Sequence, residues 1–178
     1  MVRAFSSGLF GAFGHDPTIG IQDFHGDVEF DPDAVANARV RMAVAPSSLQ
    51  VLNDMSESDR AEFERRMYYE VLEVNRFPEI AYRCSRVSAN SGGSGKYWVA
   101  LNGDLTLHGV NRTHLVSARL MLSGERLRAS GEFVLRQKDY EIRPPTMAGG
   151  VLSIKDELKF SFDVVARKDG SSSEGAAE

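Results

Sequence analysis

Apolar side chains fall on every second position in several separate stretches of this chain, and a period of two is the signature of a pleated ribbon with one dry face. Phe24, Val28 and Phe30 alternate with His25, Asp27 and Glu29, and Val40, Met42 and Val44 alternate with Arg39, Arg41 and Ala43. Ile80, Tyr82 and Cys84 share a face, as do Val99, Leu101, Leu105 and Leu107. Leu127, Ala129, Phe133 and Leu135 form another, and Leu158, Phe160, Phe162, Val164 and Ala166 the last. Alternation is weaker at 2–6 and at 113–122, where Leu115 to Leu122 mix the two phases. Strands spread over the whole length, in a chain of 178 residues, predict one mainly β, antiparallel domain with a single core. That domain is expected over 1–167. The tail 168–178, rich in Ser, Gly, Ala and Glu, is expected to be disordered.

Glycines decide how such a sheet is shaped. Asn102-Gly103 suggests a two-residue hairpin, but that turn would pair Leu101 with Asp104 and Val99 with Thr106 on one face. A continuous strand through Gly103 keeps Leu101, Leu105 and Leu107 in phase, so a long strand bent at the glycine is expected. Gly26-Asp27-Val28-Glu29-Phe30 and Gly131-Glu132-Phe133-Val134-Leu135 repeat the pattern at unequal spacing, which excludes a solenoid. Glycine inside a long strand permits the coiling that closes a sheet, and closure removes exposed edges. A barrel is therefore favoured over an open sandwich.

One amphipathic side helix is expected. Ser56 or Ser58 caps it, and Phe63, Met67, Tyr68, Val71 and Leu72 form a stripe opposite Glu62, Arg66 and Glu70. Glu62 and Arg66 stand at the favourable i,i+4 spacing on the wet face, and Asn75 to Pro78 end the helix. Ser91 to Gly95 reads as a flexible turn and Arg143 to Gly150 as a loop.

Reactive residue types are few and dispersed. The formal charge of -4, with no block of like charges, offers nothing to a phosphate backbone, so no nucleic-acid partner is expected. The single cysteine, Cys84, cannot form an internal disulfide and reads as a small apolar strand residue. His15, His25, His108 and His114 lack metal-ligand spacing. His25 is expected to face solvent, and His15 and His108 to lie in turns. No Gly-X-Ser-X-Gly elbow is present, and the glycine-rich Gly8 to Gly14 segment has no Lys-Ser/Thr pair for phosphates. Asp27, Glu29, Asp104 and Glu132 recur at outward positions, as a solvated wall requires. No catalytic residues, metal or cofactor are expected. The start lacks the charged and apolar regions of a secretion signal, and no run of about 18 apolar residues occurs, so a cytoplasmic protein with no membrane span is expected as written.

What fills the middle is left open by the pattern. Inward Phe24, Phe30, Phe133, Phe160 and Phe162, with Met42 and Met67, can form a solid plug or line a tunnel with the helical stripe as lid.

The order of motifs adds to this. A Phe-X-Gly-X-Val-X-Phe-Asp-Pro strand end at Phe24 to Pro32 is followed by Ser48-Leu49, a helix, and Phe77-Pro78-Glu79-Ile80-Ala81-Tyr82. Then come Tyr97-X-Val99, Gly103-X-Leu105-Thr106-Leu107-X-Gly109, Gly131-X-Phe133-X-Leu135-Arg136, Asp139-Tyr140, and Val151 to Ala166. This succession, from about Gly8 to Ala166, resembles the YceI-like family. The resemblance implies a bacterial, non-enzymatic, lipocalin-like antiparallel barrel that binds polyisoprenoid or related long-chain amphiphiles in an elongated hydrophobic cavity. It also implies that relatives are often exported, to the periplasm or beyond, and that a homodimer is a candidate assembly. The chain departs from the family by lacking a signal segment and the usual Tyr-X-Ile-Asp-X-X-His-Ser opening. A Gly14-His15-Asp16 turn occurs in some relatives without assigning His15 a role.

The leading expectation is a carrier for a long-chain lipid or isoprenoid. Its cavity is expected to be lined by Phe24, Val28, Phe30, Met42, Phe63, Met67, Ile80, Tyr82, Val99, Leu105, Phe133, Leu135, Phe160 and Phe162. Two alternatives stay open. One is an enzyme acting on a small apolar substrate with buried Asp139 or a histidine as base; the other is a filled barrel that works as an interaction module through an exposed edge near residues 2–6.

Overall fold

A computed structural model describes residues 1–7, 16–143, 146–147 and 152–168 of the chain. Gly8 to Gly14, His15 and the tail beyond Lys168 lie outside the described residues. The alternating stretches are strands, and two short strands that alternation does not mark, β2 (Thr18–Ile21) and β5 (Leu49–Val51), join β1 (Val2–Ser7), β3 (Phe24–Glu29) and β4 (Arg39–Val44) ahead of the helix α1 (Glu57–Arg66). After it come β6 (Ile80–Gly93), β7 (Lys96–Leu107), β8 (Val110–Ser123), β9 (Arg126–Arg136), β10 (Thr146–Met147) and β11 (Leu152–Arg167). The mixed-phase segment 113–122 lies within β8, and the weak 2–6 segment is β1. Strand β7 runs unbroken through Gly103, as the facing of Leu101, Leu105 and Leu107 requires. Thr146–Met147 pairs with β11, so the span expected to be loop contains a two-residue strand, its backbone groups satisfied by the ladder.

All strands belong to one antiparallel sheet ordered β3-β4-β6-β7-β8-β9-β11-β1-β2-β5, with β10 beside β11. The ends of that order are joined by the chain itself. Strand β2 passes into β3 through Gln22 and Asp23, while β4 passes into β5 through a single turn at Pro46–Ser48. One bent ribbon thus contributes both ends of the sheet, and the sheet curls into a barrel-like wall. The corner is tied by the Asp23 N–H donating to Ser48 Oγ (3.0 Å) and by the Ala45 N–H donating to the Asp23 carbonyl (3.2 Å). Strand β1 pairs with both β11 and β2. The exposed edge expected near residues 2–6 is therefore absent, and the edges are β3 and β5 instead.

The edge of β5 is covered by α1. Glu64 accepts from the Val51 N–H (2.9 Å), Arg60 donates to the carbonyls of Val51 and Asn53, and the Tyr68 hydroxyl donates to the Leu49 carbonyl. Side chains of the helix thereby satisfy the outward backbone groups of a strand whose Val51 is 1% exposed. Ser56 is the N-cap, accepting from the Asp59 N–H (3.1 Å). The helix does not reach Asn75. A π-turn, Met67–Val71, follows Arg66, and Glu73 takes a left-handed φ of 45°. The extra residue in the turn and the left-handed conformation break the i→i−4 ladder earlier than apolar spacing suggests.

Two apolar clusters occupy the barrel. One gathers Ala38, Cys84, Val87, Val99 and Ala118. The other gathers Leu105, Leu107, Leu135, Tyr140 and Ile142, with Val71, Leu72 and Ile80 packed against it. The second closes the end of the barrel where β7 turns into β8.

Candidate functional site

A cavity of about 540 Å³ runs between and along these clusters, within the range of sites that hold small organic ligands. Its wall is overwhelmingly apolar. Phe24, Val28, Phe30, Met42, Phe63, Met67, Ile80, Tyr82, Val99, Leu105, Phe133, Leu135, Phe160 and Phe162 all lie on it. They come from β3, β4, the helix and its π-turn, β6, β7, β9 and β11, brought to one side because alternate residues of a curled sheet face its concave surface. Phe24 stands at the rim, 47% exposed.

Close packing on the wall depends on three strand-interior glycines, Gly26, Gly103 and Gly131, and a Cβ at Gly26 would clash with the Arg41 carbonyl oxygen and Met42 Sδ. A Cβ at Gly103 would stand 2.7 Å from Tyr82 Cζ and 2.6 Å from the Arg83 carbonyl oxygen, and one at Gly131 would stand 2.8 Å from Phe162 Cζ. Tyr82 and Phe162 therefore lie flat against backbone rather than project into the lumen. The Tyr82 hydroxyl donates to the Leu101 carbonyl (2.8 Å) or the His114 carbonyl (3.2 Å). Burial pushes its pKa above the ordinary tyrosine value.

An aromatic ladder crosses β8, β9 and β11. Phe133 stacks on Phe160 at 4.8 Å and 5°, and the His114 ring meets Phe133 edge-on at 5.2 Å and 66°. His114 lies on the cavity wall, its Nε2 is buried without a hydrogen-bond partner, and desolvation lowers its pKa below the usual 6.5. Three other polar side chains on the wall have partners. Asp163 pairs with Arg128 (2.5 Å), Asp27 with Arg41 (3.6 Å), and Gln137 donates to the Lys155 carbonyl (2.9 Å).

Several of these wall residues escape a reading by periodicity. His114, Val116, Ala118 and Leu120 face inward from β8, but Leu115 (59% exposed) and Met121 (47%) put apolar groups on the outer face and blur the phase. Val87 faces inward because a bulge between Cys84 and Arg86 shifts the register of β6 against β7. Arg66, expected on the wet face, is half-buried and on the wall. Its guanidinium donates to Glu62 (2.7 Å) while its stem lies along apolar surface. Glu62 also accepts from Arg65 (2.9 Å), and these bonds hold its carboxyl down at about 2.

The remaining candidates fall elsewhere. Asp139 is exposed and lines a second crevice with Arg112, Arg136, Tyr140 and Glu157, which shares His114 and Leu135 with the cavity wall. It is not the buried acid that a base in the cavity would need, because the turn at Gln137–Tyr140 buries Tyr140 and leaves Asp139 outward. Cys84 is buried in the first cluster, and His25 is exposed. His108 sits in the β7–β8 turn with a φ of 52°, its ring tilted by 54° against Phe77 at 4.4 Å. Among the described residues no three His, Cys, Asp or Glu side chains gather as a metal site. No helix among them is long and apolar enough to cross a membrane.

Comparison with known proteins places this geometry. A family model described as a YceI-like domain matches residues 5–166. A curated relative from Vibrio campbellii, named as a UPF0312 protein, is 28% identical over 126 residues, covering 67% of this chain and 61% of its own length. The chain thus spans about three fifths of that relative. Among solved structures, a domain from Saccharophagus degradans, described as polyisoprenoid binding and implicated in plant cell wall breakdown, superposes with a TM-score of 0.68 at 13% identity, covering 94% of this chain and 93% of its own. Burkholderia cenocepacia BcnA gives a TM-score of 0.66 at 17% identity, covering 93% and 96%. A Campylobacter jejuni YceI protein gives 0.63 at 14%, covering 86% and 85%. At these identities the structural likeness is one of fold.

Proposed function

We propose, because the chain belongs to the YceI-like domain family and its barrel is hollow, that the protein binds and carries a long-chain apolar ligand, a polyisoprenoid or a related amphiphilic lipid. The observation that carries this reading is the 540 Å³ apolar cavity between two packed clusters, where a filled barrel would have interlocked side chains. Affinity comes from area. Each buried methylene contributes about 0.8 kcal/mol, so roughly twenty, as in a C20 chain, offset association costs of about 4–15 kcal/mol. The polyisoprenoid binding ascribed to the Saccharophagus degradans domain supports that ligand class.

Binding without chemical change is part of the same proposal. General-base work needs a base oriented by a second group. The wall acids Asp27 and Asp163 are committed to Arg41 and Arg128, and Asp139 lies outside the cavity. Organic extraction of freshly purified protein, followed by mass spectrometry, tests the proposal. A long-chain isoprenoid or lipid in stoichiometric amount is expected. A lipid-free extract from protein that also fails to take up added prenols would reject it.

A further inference from the structure

The cavity wall carries one polar ring whose edge is unclaimed. His114, the fifth residue of β8, faces inward opposite Gly103 in the β7–β8 register. The absence of a side chain at Gly103 leaves space that the Tyr82 ring fills, and the Tyr82 hydroxyl lies within hydrogen-bonding distance of the His114 backbone carbonyl, 3.2 Å away. Phe133 flanks the imidazole on the next strand. A buried nitrogen without a partner costs free energy that a hydrogen bond restores. Asp27, Asp163 and Gln137 on the same wall already have partners, and so does the guanidinium of Arg66, which Glu62 neutralises.

Resting on the reading of this cavity as a ligand site, we propose that His114 Nε2 recognises a neutral oxygen, a hydroxyl or a carbonyl, borne by the long apolar ligand. At this nitrogen an uncharged imidazole donates to a carbonyl or exchanges a hydrogen bond with a hydroxyl. An anionic head group is a poor match at this position. It would give up its hydration for an apolar lumen, whereas the cations that share a crevice with His114, Arg112 and Arg136, are exposed to solvent, and the diphosphate arm of the test below reads what they contribute. The ligand class is thereby narrowed from any long apolar chain to alcohols, aldehydes, ketones, quinones or esters of such chains, set with the oxygen beside β8.

The test compares geranylgeraniol, its hydrocarbon counterpart phytane and geranylgeranyl diphosphate by displacement of the neutral fluorophore N-phenyl-1-naphthylamine from the full chain. Ratios of affinity between the wild-type protein and variants cancel the different solubilities of the probes. His114→Leu is expected to weaken geranylgeraniol about fivefold, equal to about 1 kcal/mol, while leaving phytane unchanged. His114→Gln, which keeps a hydrogen-bonding group, is expected to restore most of the loss, and thermal melts of both variants report whether they fold. Geranylgeraniol binding that is equally tight in wild type and His114→Leu overturns the proposal while the carrier reading stands. So does a wild-type preference for the diphosphate that His114→Leu leaves intact. A wild-type protein that displaces the fluorophore with none of the three overturns the carrier reading itself.

Discussion

The Tyr82 ring lies on the backbone of Gly103, so close that a methyl group there would stand 2.7 Å from Cζ, and its hydroxyl lies 2.8 Å from the Leu101 carbonyl on the same neighbouring strand. A single glycine thus allows a phenol to lie along the wall of the barrel, where any other residue would drive it into the lumen. Gly103→Ala is expected to destabilise the protein by about 1–3 kcal/mol through overpacking. Tyr82→Phe, which removes only the hydroxyl, is expected to cost about 0.5–1.5 kcal/mol. Urea unfolding of the two variants checks the order, which reverses if the ring has room to move.

Filling the hollow should separate binding from folding. Ala118 is 6% exposed on the cavity wall. Ala118→Phe is expected to lower ligand uptake at least tenfold by occupying lumen, with a melting temperature within a few degrees of wild type. Ligand content by mass spectrometry, measured beside a thermal melt, checks this, and unchanged uptake would place the ligand elsewhere.

The latch between α1 and β5 carries its own prediction. Glu64→Ala leaves the Val51 N–H, on a residue 1% exposed, without the carboxylate 2.9 Å away. A loss of about 1–3 kcal/mol is expected, the cost of an orphaned buried donor. Hydrogen exchange should show the Val51 amide losing protection before those of β7 and β8, because the damage is local to the barrel edge.

Acidification should act through His114. Burial lowers its folded pKa below 6.5, so around that pH the unfolded chain binds protons that the folded chain refuses, and protonation favours unfolding. The contribution is fully present above about pH 6.5 and is lost as the pH falls below it toward the lowered value. Phe133 flanks the ring, the Tyr82 hydroxyl lies by the His114 backbone carbonyl, and Arg112, Arg136, Asp139 and Glu157 share a crevice with His114. Urea midpoints between pH 5 and 8 are expected to fall on acidification more steeply for the wild type than for His114→Leu. Parallel curves would show that the imidazole titrates as it does in water.

Much of the wall was legible from the chain alone, because a curled sheet exposes alternate residues to its concave side and the runs around Phe24, Met42, Ile80, Leu105, Phe133 and Phe160 kept that phase. The succession of short motifs identified the family for the same reason. Where the phase is locally broken, legibility ends. Leu115 and Met121 place apolar groups on the outside of β8 and conceal His114, Val116 and Leu120. The bulge before Arg86 conceals Val87, and the π-turn after Arg66 ends the helix early and sets an arginine stem against the cavity.

Period-two alternation and interior glycines determined that this chain forms one curled antiparallel sheet with an apolar inner face, since both act between neighbours along a strand. Whether that inner face closes on itself or stands apart was decided only in three dimensions. The bent ribbon of β2–β3 and β4–β5, and the helix latched to its edge, set the distance between opposite walls. That distance depends on contacts between residues far apart in the chain, and it leaves a lumen with one unpartnered imidazole nitrogen buried in its wall.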